Sequence, residues 1–505
     1  MPNQSSLNDK TIAGLFWSFM DLMSKGGIQL GLQIILARLL LPDHFGLLGM
    51  VIAFITISTI VIDSGFSQAL IRDKNTTQLD YTTVFYFNLF ISFCAYGLLF
   101  IFAPAISAFY QEPQLVIIVR VISLVLIINS LGIIQRVKII KKIDFKTLTK
   151  INVFSVVLSG GITITMAMLG FGVWSLVMNM VLSALVQTTL LWFYNKWLPS
   201  FSFSYQSFTK YFGFGSKLLV SSLIDTFYNN IFYVIIGKAF STIQLGYYSN
   251  AVKFRDLAVL SISTAVERVS YPVLSSIQDN ELRLKVGFKK VIKMTAFVNF
   301  PIMVGLAAVA FPLFGLVIGD KWLPSVVYFQ LLCIAGMLYP IHLLNLTILQ
   351  VKGRSDLFLL LEVVKKVILT ILILLALTMK LGIIGLILAA LLNAFISFFV
   401  NSYFSKTVIG YSTKEQLKDL LPSFIIAVTM GISVYCIGFI LPANYLVQLV
   451  AQVGFGIIMY VVLCKVLKIQ ELREAYQILM DIVMKAKGKL NAKKERKIPD
   501  ENLKV

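Results

Sequence analysis

The sequence has very few of the residues that carry most enzymatic chemistry. Among 505 residues there are 2 histidines and 4 cysteines. The cysteines form no Cys-x-x-Cys pair, so we expect neither a zinc site nor a disulfide framework. A phosphate-binding loop of the Gly-x4-Gly-Lys-Ser/Thr type and a His-Glu-x-x-His motif are also missing, which argues against ATP hydrolysis by that route and against a zinc protease. We therefore predict no catalytic residue, no metal and no enzymatic activity.

Long polar segments are missing as well. Only 13% of the residues are charged, 58% are hydrophobic and the mean hydropathy is +0.85. A helix needs about 20 apolar residues to cross a bilayer, and the unbroken apolar runs lack the alternation of barrel strands. We predict an all-α polytopic membrane protein with about fourteen transmembrane helices. The predicted spans are 12–37, 45–62, 81–103, 115–135, 151–169, 173–194, 214–237, 249–275, 292–317, 324–349, 358–378, 382–404, 421–441 and 445–466.

The net charge of +20 is distributed unevenly among the loops. Basic residues crowd into alternate loops, such as 136–150, and into the tail from 465 onward, whereas 170–172 and 442–444 contain none. This is the positive-inside pattern, which predicts that both termini are cytoplasmic and requires an even number of spans. It points to a membrane rather than to nucleic acid. The basic, amphipathic stretch 467–489 predicts a helix lying on an anionic membrane surface.

A short motif recurs after 200 residues. The first span ends in an apolar run followed by a basic residue, Arg38, and a glycine, Gly46, comes after a gap of seven residues. The seventh span ends in the same way, with Lys238 and Gly246. Transporters are often built from repeated bundles. The spacing predicts two six-helix lobes related by a pseudo-two-fold axis, at 1–200 and 201–410, followed by accessory spans at 411–466 and a basic, partly disordered tail at 467–505.

Several charged residues lie inside the predicted spans, where each costs roughly 2.5–3.5 kcal/mol and marks a candidate functional site. Lys25 and Asp225 stand out, because both lie deep in their spans and occupy equivalent positions of the repeat. We expect the basic members of the set to face a central cavity and attract an anion, and the acidic members to balance them or bind a coupling cation. The basic candidates are Lys25, Arg255 and Arg268, and the acidic ones are Asp21, Asp225 and Glu267. Arg38 lies near a span end, where a long side chain can reach the headgroups.

Several segments resemble the bacterial polysaccharide transporters, the O-antigen and capsule flippases of the multidrug/oligosaccharidyl-lipid/polysaccharide exporter superfamily. They are Ala37–Met50, Asp63–Ile71, Leu245–Ser249, Tyr271–Ser275 and Val351–Ser355. The resemblance implies two six-helix lobes with two extra helices around a central cationic cavity. It also implies an undecaprenyl-diphosphate-linked oligosaccharide as the substrate. Arg38 lies inside a matching segment and joins the substrate-binding candidates.

The resemblance further implies the cytoplasmic (inner) membrane of a bacterium and partners of the same pathway, namely membrane lipids, a glycan polymerase and chain-length proteins. Proton or Na⁺ coupling stays open. One alternative is a cation-coupled drug antiporter of the same superfamily, which would favour an acidic, largely apolar cavity. A membrane-embedded glycan polymerase or ligase is a weaker alternative, because it would need large external loops to hold its acceptor.

Overall fold

The computed structural model describes residue 24, residues 26–477, Met480 and Met484. This part of the chain is helical and contains no strand. The helices are α1 Gly26–Leu39, and then α2 Pro42–Asp63, α3 Phe66–Arg72, α4 Gln78–Tyr110, α5 Leu115–Ile122, α6 Leu124–Lys141, α7 Phe145–Met168, α8 Val173–Asn195, α9 Tyr205–Ala239, α10 Thr242–Ser275, α11 Glu281–Ala308, α12 Ala310–Val317, α13 Ser325–Val351, α14 Ser355–Thr378, α15 Gly382–Ile409, α16 Thr413–Gly438 and α17 Tyr445–Val466.

The helices confirm the predicted all-α membrane fold. Twelve stretches of the described chain are long and apolar enough to cross a membrane. Two more helices correspond to the remaining predicted spans: α1 is the described part of the first, and α14 matches the eleventh although it contains Glu362, Lys365 and Lys366. Most helices run beyond the predicted bounds, since hydropathy detects only the apolar portion; α9, for example, begins at Tyr205 instead of 214.

Short breaks interrupt some spans. Ser64 and Gly65 separate α2 from α3, and both have left-handed backbone, with φ of 47° and 72°. Such a conformation ends a helix and is least costly for glycine. Ser123, between α5 and α6, keeps right-handed helical backbone instead. Each pair of helices still counts as one membrane-spanning stretch, Pro42–Arg72 and Leu115–Lys141.

The chain divides by packing into two units. Unit 1 comprises Met1–Lys253 and Val317–Tyr328, and unit 2 comprises Phe254–Leu316 and Phe329–Val505. Unit 1 has an aromatic cluster that includes Phe66, Phe85 and Trp197. Unit 2 is built around a larger apolar cluster on α11, α13 and α16 and their neighbours, with Phe288 and Phe300 at its centre. A division by contacts does not test a division by repeats, so the two predicted six-helix lobes stay a prediction.

The described part of the tail packs on unit 2. Residues 470–477 are helical, and Leu472 and Ala475 contact a cluster formed by α11, α16 and α17. Two ion pairs add to this packing, Lys293–Glu471 at 2.5 Å and Lys290–Glu474 at 2.9 Å. Leu479 and Val483 of the predicted surface helix lie outside the described residues.

Candidate functional site

The repeated glycines lie where α2 and α10 cross. A Cβ atom added to Gly46 would lie 1.8 Å from the carbonyl oxygen of Thr242, and one added to Gly246 would lie 1.8 Å from that of Pro42. These four residues form two pairs separated by 200 positions, so each copy of the motif places its first helical turn against the glycine of the other copy. Glycine permits this approach because it has no Cβ, as at close helix crossings in membranes.

The repeated bases act at helix ends in the same crossed manner. Arg38 Nε donates to the carbonyl oxygen of Val317, the last residue of α12, at 2.8 Å. Lys238 Nζ donates to the carbonyl oxygen of Phe109 near the end of α4. The last carbonyls of a helix have no partner within it and carry partial negative charge, so a basic side chain there is stabilising. α4 is the third predicted span and α12 ends the ninth, so each base caps the third span of the other predicted lobe.

A tryptophan fills the space beside this crossing. Trp322 is fully buried and donates from Nε1 to the carbonyl oxygen of Ala37 at 2.8 Å. Its ring lies between Phe45 and Tyr247, with centroid distances of 5.3 Å and 6.1 Å. We call this set the crossed contact. It comprises Arg38, Pro42, Gly46, Lys238, Thr242, Gly246 and Trp322.

A polar layer joins α1 to α10 further along both helices. Gln33 Nε2 donates to Asn250 Oδ1 at 2.5 Å, and Lys253 Nζ donates to Gln33 Oε1 at 3.3 Å. Lys253 also lies over the ring of Phe45, 5.5 Å from its centroid. The layer satisfies polar groups that would be costly to bury alone.

Unit 1 also contains a cavity of about 540 Å³ lined by both polar and apolar residues. Residues of α2, α3, α6, α8 and α9 line it. Its charged residues are Asp63 and Arg136, and its other polar groups include Gln68, Asn129 and Ser222. Asp63 Oδ1 accepts hydrogen bonds from the backbone and hydroxyl of Ser67.

The charges of unit 2 lie beside one another. Arg255 Nε is 2.8 Å from Asp256 Oδ1, although the N–H does not point at the carboxylate and makes no hydrogen bond. Lys365 Nζ donates to Glu362 Oε1 at 2.5 Å. Both ring nitrogens of His342 are buried without a hydrogen-bond partner among the described residues. Opposite charges thus offset each other locally here.

The structure separates the residues predicted for the cationic cavity. Asp21 and Lys25 lie outside the described residues. Arg38 belongs to the crossed contact. Asp225 is exposed on α9 in unit 1, whereas Glu267 and Arg268 are exposed on α10 in unit 2.

A shared role of the predicted set in binding an anion or a coupling ion stays a prediction.

Sequence reasoning missed three features of unit 1. The sequence shows Gly46 and Gly246 as members of a repeat. Only the structure, in which α2 crosses α10, shows that each glycine lies against a carbonyl group of the other copy. Asp63 follows the last residue of a predicted span and Arg136 falls in a predicted basic loop, so hydropathy places neither inside the membrane. A polar residue next to a helix break was the available signal for Asp63.

Comparisons with known proteins agree with this architecture. A family model described as polysaccharide biosynthesis protein matches residues 35–327, more than half of the chain and including the crossed contact. Teichuronic acid biosynthesis protein TuaB of Bacillus subtilis is 29% identical over 354 residues, which cover 70% of this chain and 73% of that protein. Lipopolysaccharide biosynthesis protein WzxC of Escherichia coli is 27% identical over 446 residues, covering 86% and 89%.

Solved structures share the fold at low identity. The lipid II flippase MurJ in an inward closed conformation has a TM-score of 0.71 at 14% identity, covering 90% of this chain and 98% of its own. An inward-facing multidrug transporter of the MATE family has a TM-score of 0.60 at 16% identity, covering 77% and 96%. At these identities the likeness shows the fold alone.

Proposed function

Because the chain belongs to the polysaccharide biosynthesis protein family, we propose that it is a flippase of lipid-linked oligosaccharides. It moves undecaprenyl-diphosphate-linked units from the cytoplasmic to the outer leaflet of the bacterial cytoplasmic membrane, with both termini in the cytoplasm. A surface-polysaccharide polymerase and chain-length proteins then act on its product. The similar proteins TuaB and WzxC are named for teichuronic acid and lipopolysaccharide biosynthesis, and both involve surface glycans.

The chemistry of such a cargo explains why a protein is needed. A hydroxyl moved into hydrocarbon without a partner costs roughly 2–7 kcal/mol, and a charged group costs far more. A sugar chain on a diphosphate therefore crosses a bilayer only if protein groups replace its water. The lipid tail stays in the bilayer meanwhile.

The crossed contact gives this proposal its main structural support. Two copies of one motif meet there through backbone, two capping bases and one tryptophan. The topology predicted from loop charge puts this end of the helices on the outer side. A contact made by equivalent parts of two repeats is suited to act as a gate. The gate closes the outer end while cargo enters from the cytoplasm, and the two repeats then separate to open it. This is alternating access.

The predicted charged residues have roles in this proposal. Lys25, Arg255 and Arg268, with Arg38 when the crossed contact opens, attract the diphosphate. Asp21, Asp225 and Glu267 balance that charge or bind H⁺ or Na⁺. The pairing of Arg255 with Asp256 is only partly satisfied, since the guanidinium Nε makes no hydrogen bond, and this suits a group that exchanges its partner.

Reconstitution in liposomes tests the function. Fluorescent undecaprenyl-diphosphate oligosaccharide is placed in both leaflets, and a membrane-impermeant reductant reports the fraction that reaches the outer leaflet. We expect protein-dependent movement, with empty liposomes as the control. Lack of movement under every imposed H⁺, Na⁺ and voltage gradient would contradict the proposal.

The second candidate is a cation-coupled drug antiporter, favoured by the fold shared with the MATE transporter. Uptake of a fluorescent organic cation by the same vesicles tests it. Cation uptake without lipid movement would favour the antiporter. A glycan polymerase or ligase would instead lengthen or transfer the oligosaccharide, which chromatography of the recovered lipid detects.

A further inference from the structure

The cavity of unit 1 has polar groups available for a ligand. Gln68, Asn129 and Ser222 line it, and no side-chain hydrogen bond joins any of the three to another residue within the part of the chain that the structure describes. They come from α3, α6 and α9, three separate elements. Polar groups left without protein partners in a cavity bind water or a polar ligand, because unmet hydrogen bonds are costly.

The charge of the cavity favours a neutral ligand. Asp63 and Arg136 supply one negative and one positive charge, so the lining has no net charge to attract a phosphate. The amides and hydroxyls offer both donors and acceptors. A carbohydrate, which carries many hydroxyl groups that donate and accept, matches such a lining better than a phosphate does.

The remaining wall suits the carbon face of a sugar. Aliphatic side chains complete the lining, among them Ile60, Ile133 and Leu218. The volume of about 540 Å³ falls within the roughly 300–1,000 Å³ of ordinary ligand pockets. The cavity can therefore enclose sugar rings, with aliphatic carbon against their C–H groups and polar side chains against their hydroxyls.

We propose that this cavity is a carbohydrate subsite that holds sugars of the cargo. The inference rests on the proposed function and names the part of the substrate that unit 1 recognises. In this arrangement Asp63 accepts hydrogen bonds from sugar hydroxyls, and Asn129 both donates and accepts. The diphosphate is bound elsewhere.

Equilibrium binding to the full-length protein in nanodiscs tests the subsite. The probes are undecaprenyl diphosphate without sugar and the same lipid carrying glucose, galactose or N-acetylglucosamine. We expect at least one sugar-bearing probe to bind more tightly to the wild type than the bare lipid. Asp63→Asn and Asn129→Ala should each weaken that probe about tenfold, the effect of a lost hydrogen bond to a charged group or an amide. Binding of the bare lipid should stay unchanged.

The matched control for the cavity variants is a substitution of another amide in unit 1. Asn179→Ala removes an amide of α8 outside the cavity lining and should change neither binding constant. Equal affinity of the wild type for all four probes would overturn the subsite. The subsite would also be overturned if both cavity variants lowered the affinity for sugar-bearing and for bare lipid by the same factor. If the wild type flips the cargo but shows either result, only the subsite fails. If it discriminates sugars but never moves lipid, the flippase proposal fails instead.

Discussion

The two units differ in where charged side chains pair and where polar side chains line a cavity. In unit 2, Arg255 lies beside Asp256 and Lys365 beside Glu362, and a large apolar cluster surrounds Phe288. In unit 1, amide and hydroxyl side chains line a cavity, and two helices cross closely at glycines. A buried apolar cluster contributes mainly stability, whereas a cavity with polar groups and a close helix crossing suit binding and movement. We infer that unit 2 supplies much of the stability and that unit 1 contains the proposed gate and the proposed carbohydrate subsite.

The largest expected effect breaks the apolar cluster of unit 2. Phe288 is fully buried, so Phe288→Ala should cost about 3–5 kcal/mol of unfolding free energy through lost burial and a cavity. Thermal unfolding in detergent measures this, and the flipping rate per folded molecule should change little. Phe93→Ala is the control, because Phe93 is 54% exposed on α4 of unit 1. Equal loss of stability in both variants would contradict the role given to unit 2.

The second largest effect should appear mainly in the flipping rate and not in the unfolding free energy. In Gly46→Ala or Gly246→Ala, the new methyl group would lie 1.8 Å from a carbonyl oxygen, so α2 and α10 must separate. Overpacking costs about 1–3 kcal/mol. We expect the outer end to close poorly and the flipping rate to fall about tenfold, since 1.4 kcal/mol corresponds to a factor of ten.

Gly97→Ala is the matched control for both glycines. Gly97 lies within α4 and an added Cβ would meet nothing within 4 Å. Its flipping rate should equal that of the wild type. If all three alanine variants flip alike, the crossing is ordinary packing.

A small effect is expected at a polar cluster of unit 1. Lys210 Nζ donates to Asp73 Oδ2 at 2.6 Å and the Tyr211 hydroxyl donates to the same oxygen at 2.8 Å. The Lys210 ammonium, the backbone of Asn75 and the Tyr211 hydroxyl hold the pKa of Asp73 well below its usual range. The unfolded chain then binds a proton more readily than the folded one. The stabilisation is therefore present above about pH 4 and is lost as the pH falls further.

Asp73→Asn should remove this pH dependence. We expect at most about 1 kcal/mol, because Lys210 is more than half exposed and solvent weakens the pair. The unfolding temperature of the wild type should fall more steeply between pH 5 and pH 3 than that of D73N. Asp279→Asn, in an exposed loop, is the control and should follow the wild type. Identical acid profiles for D73N and the wild type would refute the coupling.

Hydropathy and spacing predict much of the fold and less of the site. Apolar runs determine where helices cross a membrane, and the repeat identifies Arg38 and Lys238 as equivalent. Their partners, the carbonyl oxygens of Val317 and Phe109, lie 279 and 129 residues away, and only the folded arrangement of α12 and α4 reveals them. Asp63 escaped attention because a window average cannot distinguish a span's last turn from a loop.

The most direct measurement asks whether the crossed contact opens. Leu245 is fully buried beside Gly49 and Gly237 in unit 1. In a variant without the native cysteines, a thiol introduced by Leu245→Cys is exposed to an impermeant maleimide added outside proteoliposomes, while flipping is followed in the same sample. The exposed position 111 and the buried position 103, each as a single cysteine, give the upper and lower limits of reactivity.

We predict slow labelling of L245C without cargo and faster labelling while lipid-linked oligosaccharide is being moved. Labelling from outside should also arrest flipping. If cargo moves while the thiol of L245C reacts no faster than the buried thiol at position 103, the crossed contact is not the outer gate.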